Sequence, residues 1–311
     1  MSDLTPMYAL SIAGRLTLEM HSLNNEGGEG NQTTTRMVTL VNPDGEVFTV
    51  NAISGDMFKH IHAENLQRLA KSRGLALCAG CQVFSASRIL DDKAFMNDLP
   101  KSKSDVIDAL LAHCTVDDAE GNLIAKGKHS VPRKSVAEFG WVVGLPGTKT
   151  DSYFHVRYAK ERDIDKKTKQ PIFHRPASSG IYAVVSSFEM ARLGFNDITQ
   201  TYPLNDEERL KRHRAFLEST LYTFVQPAGA MRSTQNPHIY RFEGVVTVSR
   251  DVMPAPLLSP LNDDYAKEIE RVARALDRDG GLTVRRFNSM GEFAEIMREL
   301  IDSTQPYKLF V

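Results

Sequence analysis

The stretch Glu46-Val47-Phe48-Thr49-Val50-Asn51-Ala52-Ile53-Ser54-Gly55-Asp56-Met57-Phe58-Lys59 changes its hydrophobic period in mid-course. Up to Ile53 it reads as the second arm of a β-hairpin. The first arm is Arg36 to Val41, and Asn42-Pro43-Asp44-Gly45 supplies the turn chemistry. After Ser54 the apolar residues Met57, Phe58, Ile61, Leu66, Leu69 and Ala70 recur at helical spacing, which predicts a helix from Gly55 to Ser72 that Arg73-Gly74 ends. Upstream, Tyr8, Leu10, Ile12, Leu16 and Leu18 share one parity between Met7 and Met20, as a half-buried strand requires. Downstream, periodicity fails from Leu75 to about Phe139, apart from a helical stretch near Asp105 to Ala112 and polar turns at Pro100-Lys101-Ser102 and Asp117 to Gly121. That region reads as an inserted subdomain.

An apolar strand returns at Gly140 to Gly144. Asp151 to Pro176 then has strand-like flanks around a charged tip, Ala159 to Lys169, and reads as a projecting hairpin. Ser179 to Phe188 is a buried strand, Asn205 to Thr223 an amphipathic helix and Ile239 to Val248 a strand. With the insertions removed, the order is strand, helix, strand, strand, helix, strand. This is the α+β split βαβ arrangement of ferredoxin-like and RRM folds, with both helices on one face of an antiparallel sheet and the other face open to a ligand. Two further helices, Asp263 to Leu276 and Ser289 to Ser303, flank a strand at Leu282 to Phe287.

With 311 residues and 41% hydrophobic content, the chain can bury a full core. A formal charge of −1 gives no global attraction to nucleic acid, so any such binding must use a local basic strip. No apolar run reaches the roughly 20 residues of a membrane span, and the start lacks a signal-peptide pattern, which predicts a cytoplasmic protein with no membrane partner. Three cysteines fit a reduced compartment.

Two loops and a helix start have the chemistry of a polyanion surface. Ser22 to Asn31 is rich in glycine and asparagine, which allows close backbone approach; Ser54-Gly55-Asp56 offers helix N–H groups, with Lys59 one turn in. Pro227 to Gln235 is a small-residue loop that carries Arg232 among hydroxyl and amide donors. Each feature also has an ordinary use, as an N-cap, a solvated lysine or a plain connection. Cys78-Ala79-Gly80-Cys81 has zinc-knuckle spacing, and His113-Cys114 follows 32 residues after Cys81, so Cys78, Cys81, His113 and Cys114 are the candidate zinc ligands; buried free thiols are the competing reading. Asp117, Asp118 and Glu120 are residues a turn favours, and no nucleophile or metalloenzyme spacing marks a catalytic site.

Leu23-Asn24 with its Gly/Asn loop, Ile53 to Lys59, Ser179-Gly180-Ile181-Tyr182-Ala183 and Gly229-Ala230-Met231-Arg232 together resemble the DevR branch of CRISPR-associated proteins. That branch supplies the backbone subunit of type I surveillance complexes (Cascade), within the repeat-associated mysterious protein superfamily. The resemblance implies an RRM-like palm (1–74, 140–150 and 179–250), a finger subdomain (75–139), a thumb β-hairpin (151–178) and a C-terminal palm extension (251–311). It further implies a non-enzymatic homo-oligomer in antiviral defence or RNA-guided transposition, whose copies form a helical filament on one CRISPR guide RNA (crRNA). Its partners would be that RNA, the target DNA strand paired to it and the other Cascade subunits. Carried onto this sequence, Asn24, Asn31, Arg36, Ser54, Gly55, Lys59, Gly229, Met231, Arg232 and Ser233 become RNA contacts, and Lys166, Lys167 and Lys169 lie on the thumb. Superfamily relatives that cut RNA use an aspartate in an early loop, where this chain has Glu26 and Glu29. An RNA-cleaving enzyme and a DNA-binding regulator are the alternatives.

Overall fold

A short strand β1 (Thr5–Met7) leads into β2 (Ala9–His21), whose alternation assigns the faces of the sheet. Leu10, Ile12, Leu16 and Leu18 enter the main core, while Ala13 belongs to a second cluster on the opposite face. The computed structural model describes residues 4–29, 32–126, 129–156, 172–229 and 232–309. After β2 come β3 (Asn25–Glu29) and β4 (Gln32–Thr35), then β5 (Met37–Val41), β6 (Val47–Ile53) and helix α1 (Gly55–Ser72). The polar segment after His21 is thus a hairpin rather than a loop. Four helices follow: α2 (Ala79–Gln82), α3 (Lys93–Asn97), α4 (Lys103–His113) and α5 (Thr115–Glu120). A hairpin of β7 (Asn122–Lys126) and β8 (His129–Arg133) completes the insertion.

The chain re-enters the sheet through β9 (Ala137–Phe139) and β10 (Val142–Gly144), then runs out along β11 (Lys149–Val156) and back along β12 (Ile172–Phe188). Helix α6 (Asp206–Val225) and strand β13 (His238–Ser249) follow; α7 (Tyr265–Leu276), β14 (Leu282–Phe287), α8 (Met290–Ser303) and β15 (Thr304–Pro306) end the chain. The main sheet has the order β14-β13-β2-β12-β10-β6-β5, and every neighbouring pair is antiparallel. Within it, β2, α1, β10, β12, α6 and β13 follow the expected strand and helix order.

Helices α1, α6 and α8 cover one face. Phe224 links them to the sheet: its ring centroid lies 5.8 Å from Phe58, 5.2 Å from Phe242 and 5.6 Å from Phe293. The other face is not open over its centre, contrary to expectation. Tyr265 and Ile269 of α7 pack on Ala13 and Val245, while Ser11 Oγ donates to the Pro256 carbonyl at 3.0 Å and the Arg15 guanidinium to the Pro260 carbonyl at 2.8 Å. Small and polar side chains on this side of β2 leave room for the C-terminal segment to lie down, and apolar burial by α7 holds it there.

Residues 117–121 read in the sequence as a polar turn. Instead Asp117, Asp118 and Glu120 sit in α5 and are 0, 0 and 2% exposed, because each finds a buried partner. Asp118 accepts from Arg133 at 2.7 Å and Arg212 at 3.0 Å, and Glu120 lies 2.5 Å from His62 Nδ1. This short helix therefore ties the insertion to α6 and α1 and, within the insertion, joins the helices to β8. Among the described residues, no helix is long and apolar enough to cross a membrane.

Candidate nucleic-acid interface

Ser54 caps α1 by accepting from the Met57 amide at 3.2 Å, a contact worth about 1 kcal/mol. Its own amide donates to Asn24 Oδ1 at 2.8 Å, so the residue after the β2 turn holds the start of the helix. A chain of buried polar contacts continues inward. The Asn24 carbonyl accepts from Thr35 Oγ1 at 3.1 Å, Thr35 Oγ1 from Asn51 Nδ2 at 2.9 Å, and Asn51 Oδ1 from the Tyr182 hydroxyl at 2.8 Å. The tyrosine of the Ser-Gly-Ile-Tyr strand thereby fixes the loop that precedes the first helix. Burial pushes the Tyr182 hydroxyl well above its ordinary range and lowers His21, packed edge-on against Tyr182, to about 4, so both stay neutral.

The glycine loop meets the same place. A methyl on Gly229 would lie 2.6 Å from the Leu23 carbonyl oxygen and 2.8 Å from its Cα, so only glycine lets the two backbones approach this closely. Beyond Arg232 and Ser233, Thr234 accepts from Arg175 Nη1 at 2.7 Å and Gln235 Nε2 donates to the Pro176 carbonyl at 2.7 Å. The loop therefore spans from Leu23 to the base of the β11–β12 arm. In that arm β12 runs unbroken from the hairpin into the sheet, with a register shift between Ser178 and Gly180 where the two parts join.

Gly55 is buried because the Phe139 carbonyl of β9 packs where its side chain would be. Arg36 is half-buried, its guanidinium 5.3 Å from the ring centroid of Trp141. Trp141, the single tryptophan, is 42% exposed and lines a cleft of about 310 Å³ with Gly55, Asp56, Lys59, Ser135 and Glu138. Sequence reasoning passed over it; the aromatic pair Phe139 and Trp141 around Gly140 was the available signal. Lys59 does not reach out along the helix start. Its Nζ donates to Ser135 Oγ at 2.9 Å, and burial lowers its affinity for a proton.

Of the candidate RNA contacts, the structure brings Asn24, Arg36, Ser54, Gly55 and Gly229 together, with Arg232 and Ser233 continuing the Gly229 loop and Lys59 held by Ser135 in the cleft it shares with Gly55 and Trp141. Asn31, Lys166, Lys167, Lys169 and Met231 lie outside the described residues.

The expected zinc ligands separate. Cys78, Cys81 and Cys114 converge, but His113 turns away, its Nε2 2.9 Å from Asp92 Oδ2 and its ring stacked on Phe95. Residues adjacent at a helix end point in different directions, so His113 and Cys114 cannot share one centre here. Asp117 of α5 takes the fourth place.

The family of CRISPR-associated negative auto-regulators DevR/Csa2 matches residues 12–270. Two relatives span most of the chain. The CRISPR-associated protein Cas7/Csa2 1 of Saccharolobus solfataricus is 27% identical over 86% of this chain and 86% of its own length. The CRISPR-associated protein Cas7/Cst2/DevR of Methanocaldococcus jannaschii is 26% identical over 94% of this chain and 99% of its own. A chain of a solved CRISPR RNA-guided surveillance complex, captured before nicking, shares the fold with a TM-score of 0.51 at 13% identity; the match covers 87% of this chain and 89% of that one. By the extent of the family match, this chain belongs to the DevR/Csa2 family of CRISPR-associated proteins.

Proposed function

We propose that this chain is a non-catalytic guide-RNA-binding subunit, copies of which line up along one guide strand in a type I CRISPR complex and leave sequence reading to pairing between guide and target DNA. The observation that carries the proposal is the convergence of Leu23-Asn24, Ser54-Gly55 and Gly229 into a largely buried framework, beside which lie Arg36 and an exposed tryptophan, with Arg232 on the loop that follows Gly229. In this reading the sheet and its helices are the palm, the α2-to-β8 insertion is the finger, and β11–β12 carry the thumb. Surroundings built from hydroxyl, amide and backbone groups suit contact with sugar and phosphate rather than with base edges.

A helix start contributes only about 0.3–1 kcal/mol toward an anion, and Asp56 in its first turn works against even that. The cationic share therefore falls on Arg36 and Arg232, and Trp141 offers a face on which a base can stack. A formal charge of −1 allows subunits to pack side by side without strong mutual repulsion. The buried, engaged state of Asp117 and Asp118 keeps these two carboxylates away from any strand on the surface.

The test is a salt titration of single-stranded RNA binding. Arg36→Ala and Arg232→Ala should each weaken binding equally for unrelated sequences and lower the slope of log K against log salt by about 1. Lys59→Ala should change it less, since Lys59 is held by Ser135. Unchanged slopes in both arginine variants would refute this assignment of contacts.

A further inference from the structure

We propose that Cys78, Cys81, Cys114 and Asp117 bind one zinc ion that locks the helical insertion to the rest of the fold. Their three sulfurs and one carboxylate oxygen all lie within 4.8 Å of one another, and the four residues are 0–1% exposed. A tetrahedral zinc about 2.3 Å from sulfur and about 2.0 Å from oxygen sets sulfur and oxygen roughly 3.5 Å apart. Asp117 Oδ2 lies 3.4 Å from Cys78 Sγ and 3.6 Å from Cys81 Sγ. The carboxylate and the thiols of Cys78 and Cys81 already sit at the separations that a shared ion imposes, and Cys114 lies within the same cluster.

The surroundings are arranged for such a centre. Cys78 caps α2, and its sulfur accepts from the Cys81 amide at 3.3 Å, a contact that stabilises sulfur as thiolate. Asn122 Nδ2 holds the other carboxylate oxygen of Asp117 at 2.5 Å, and Arg88 Nε lies 3.9 Å from that oxygen, so Oδ2 is left to turn toward the sulfurs. Zinc with three thiolates and one carboxylate carries a net charge of −2. Arg88 and these N–H donors offset part of it, and the three thiol protons leave to solvent as the metal enters. Thiolate-rich donor sets favour zinc over hard cations.

The position gives the ion a structural task. Its ligands come from α2, from the junction of α4 with α5, and from α5 itself. The same six-residue helix carries Asp118, which holds Arg133 and Arg212, and Glu120, which meets His62 of α1. An ion at Asp117 therefore fixes the helix through which the insertion grips α1 and α6.

The intact chain, purified under reducing conditions with no metal added and no chelator or metal-affinity column, decides the matter by elemental analysis. About one zinc per chain is expected. His113→Ala should keep it, whereas Cys114→Ser and Asp117→Ala should each lose most of it. Should those two variants fail to fold, replacing zinc by cobalt in the unaltered chain serves instead; intense visible bands with thiolate charge-transfer absorption in the near ultraviolet support a tetrahedral sulfur-rich site. Zinc below about a tenth per chain, with all three thiols reacting once the protein is unfolded, would overturn the proposal in favour of packed thiols. Loss of zinc in His113→Ala with retention in Asp117→Ala would overturn the ligand set. Neither readout depends on RNA.

Discussion

Single residues set the proposed interface through neutrality as much as charge. His21 lies one position from the turn that presents Leu23 and Asn24, and His213 is buried in α6 beside Thr304. Burial lowers His21 to about 4 and, reinforced by Arg209 and Arg214, His213 to about 3, against 6.5 in the unfolded chain. Between those values the unfolded chain takes up protons that the folded chain refuses, so stability is lost as pH falls through 6.5 and toward 4. From pH 7 to pH 5 the two histidines together should cost on the order of 3 kcal/mol. Urea unfolding at the two pH values measures this, and His213→Gln should make the fall shallower. A stability unchanged between them would contradict the neutral, buried assignment.

Among the elements, α5 joins the insertion to α1, α6 and Gly194 through buried charged contacts. Asp118 accepts from Arg133, Arg212 and the Gly194 amide, all buried. Asp118→Asn leaves two guanidinium groups without their main counter-charge and should cost about 3–5 kcal/mol, read from the urea midpoint; a loss under about 1 kcal/mol would mean that Asp197 and Glu208 suffice. The β11–β12 arm differs in kind. Tyr153 and Phe154 on it are exposed, and the charged sequence 159–169, which lies outside the described residues, is poor in apolar side chains. Deleting residues 159–169 should therefore leave the melting temperature near that of the intact chain while ordered assembly on long RNA is lost. Regular assembly in the deletion variant would show that the tip is only a solvated loop.

For the molecule as a whole, what was legible in the sequence depended on how local its cause is. Helix α1 begins and ends where Ser54 and Arg73-Gly74 predicted, and the hairpin around Asn42 to Gly45 forms as its turn chemistry requires, because cap and turn contacts reach only a few residues. Helix α5 was misread as a turn because Asp118 and Glu120 are buried against Arg212 and His62, partners 94 and 58 residues away in the chain. The covering of the second sheet face by α7 was hidden for the same reason, since Ala13 and Arg15 in β2 do not announce what packs on them. At the candidate interface, the motifs Leu23-Asn24, Ser54-Gly55 and Gly229 could be named one by one. Their convergence through Thr35, Asn51 and Tyr182, and the place of Trp141 beside Arg36, required the fold.

In the proposed function, the surface grips an RNA backbone and copies of the chain repeat along it. Mass measurement of the intact chain mixed with single-stranded RNAs of increasing length and unrelated sequence tests this most directly. The number of bound copies should rise in whole steps with RNA length, with the same footprint per copy for every sequence and regular spacing by electron microscopy. A single bound copy whatever the length, or binding confined to one duplex DNA sequence, would contradict it.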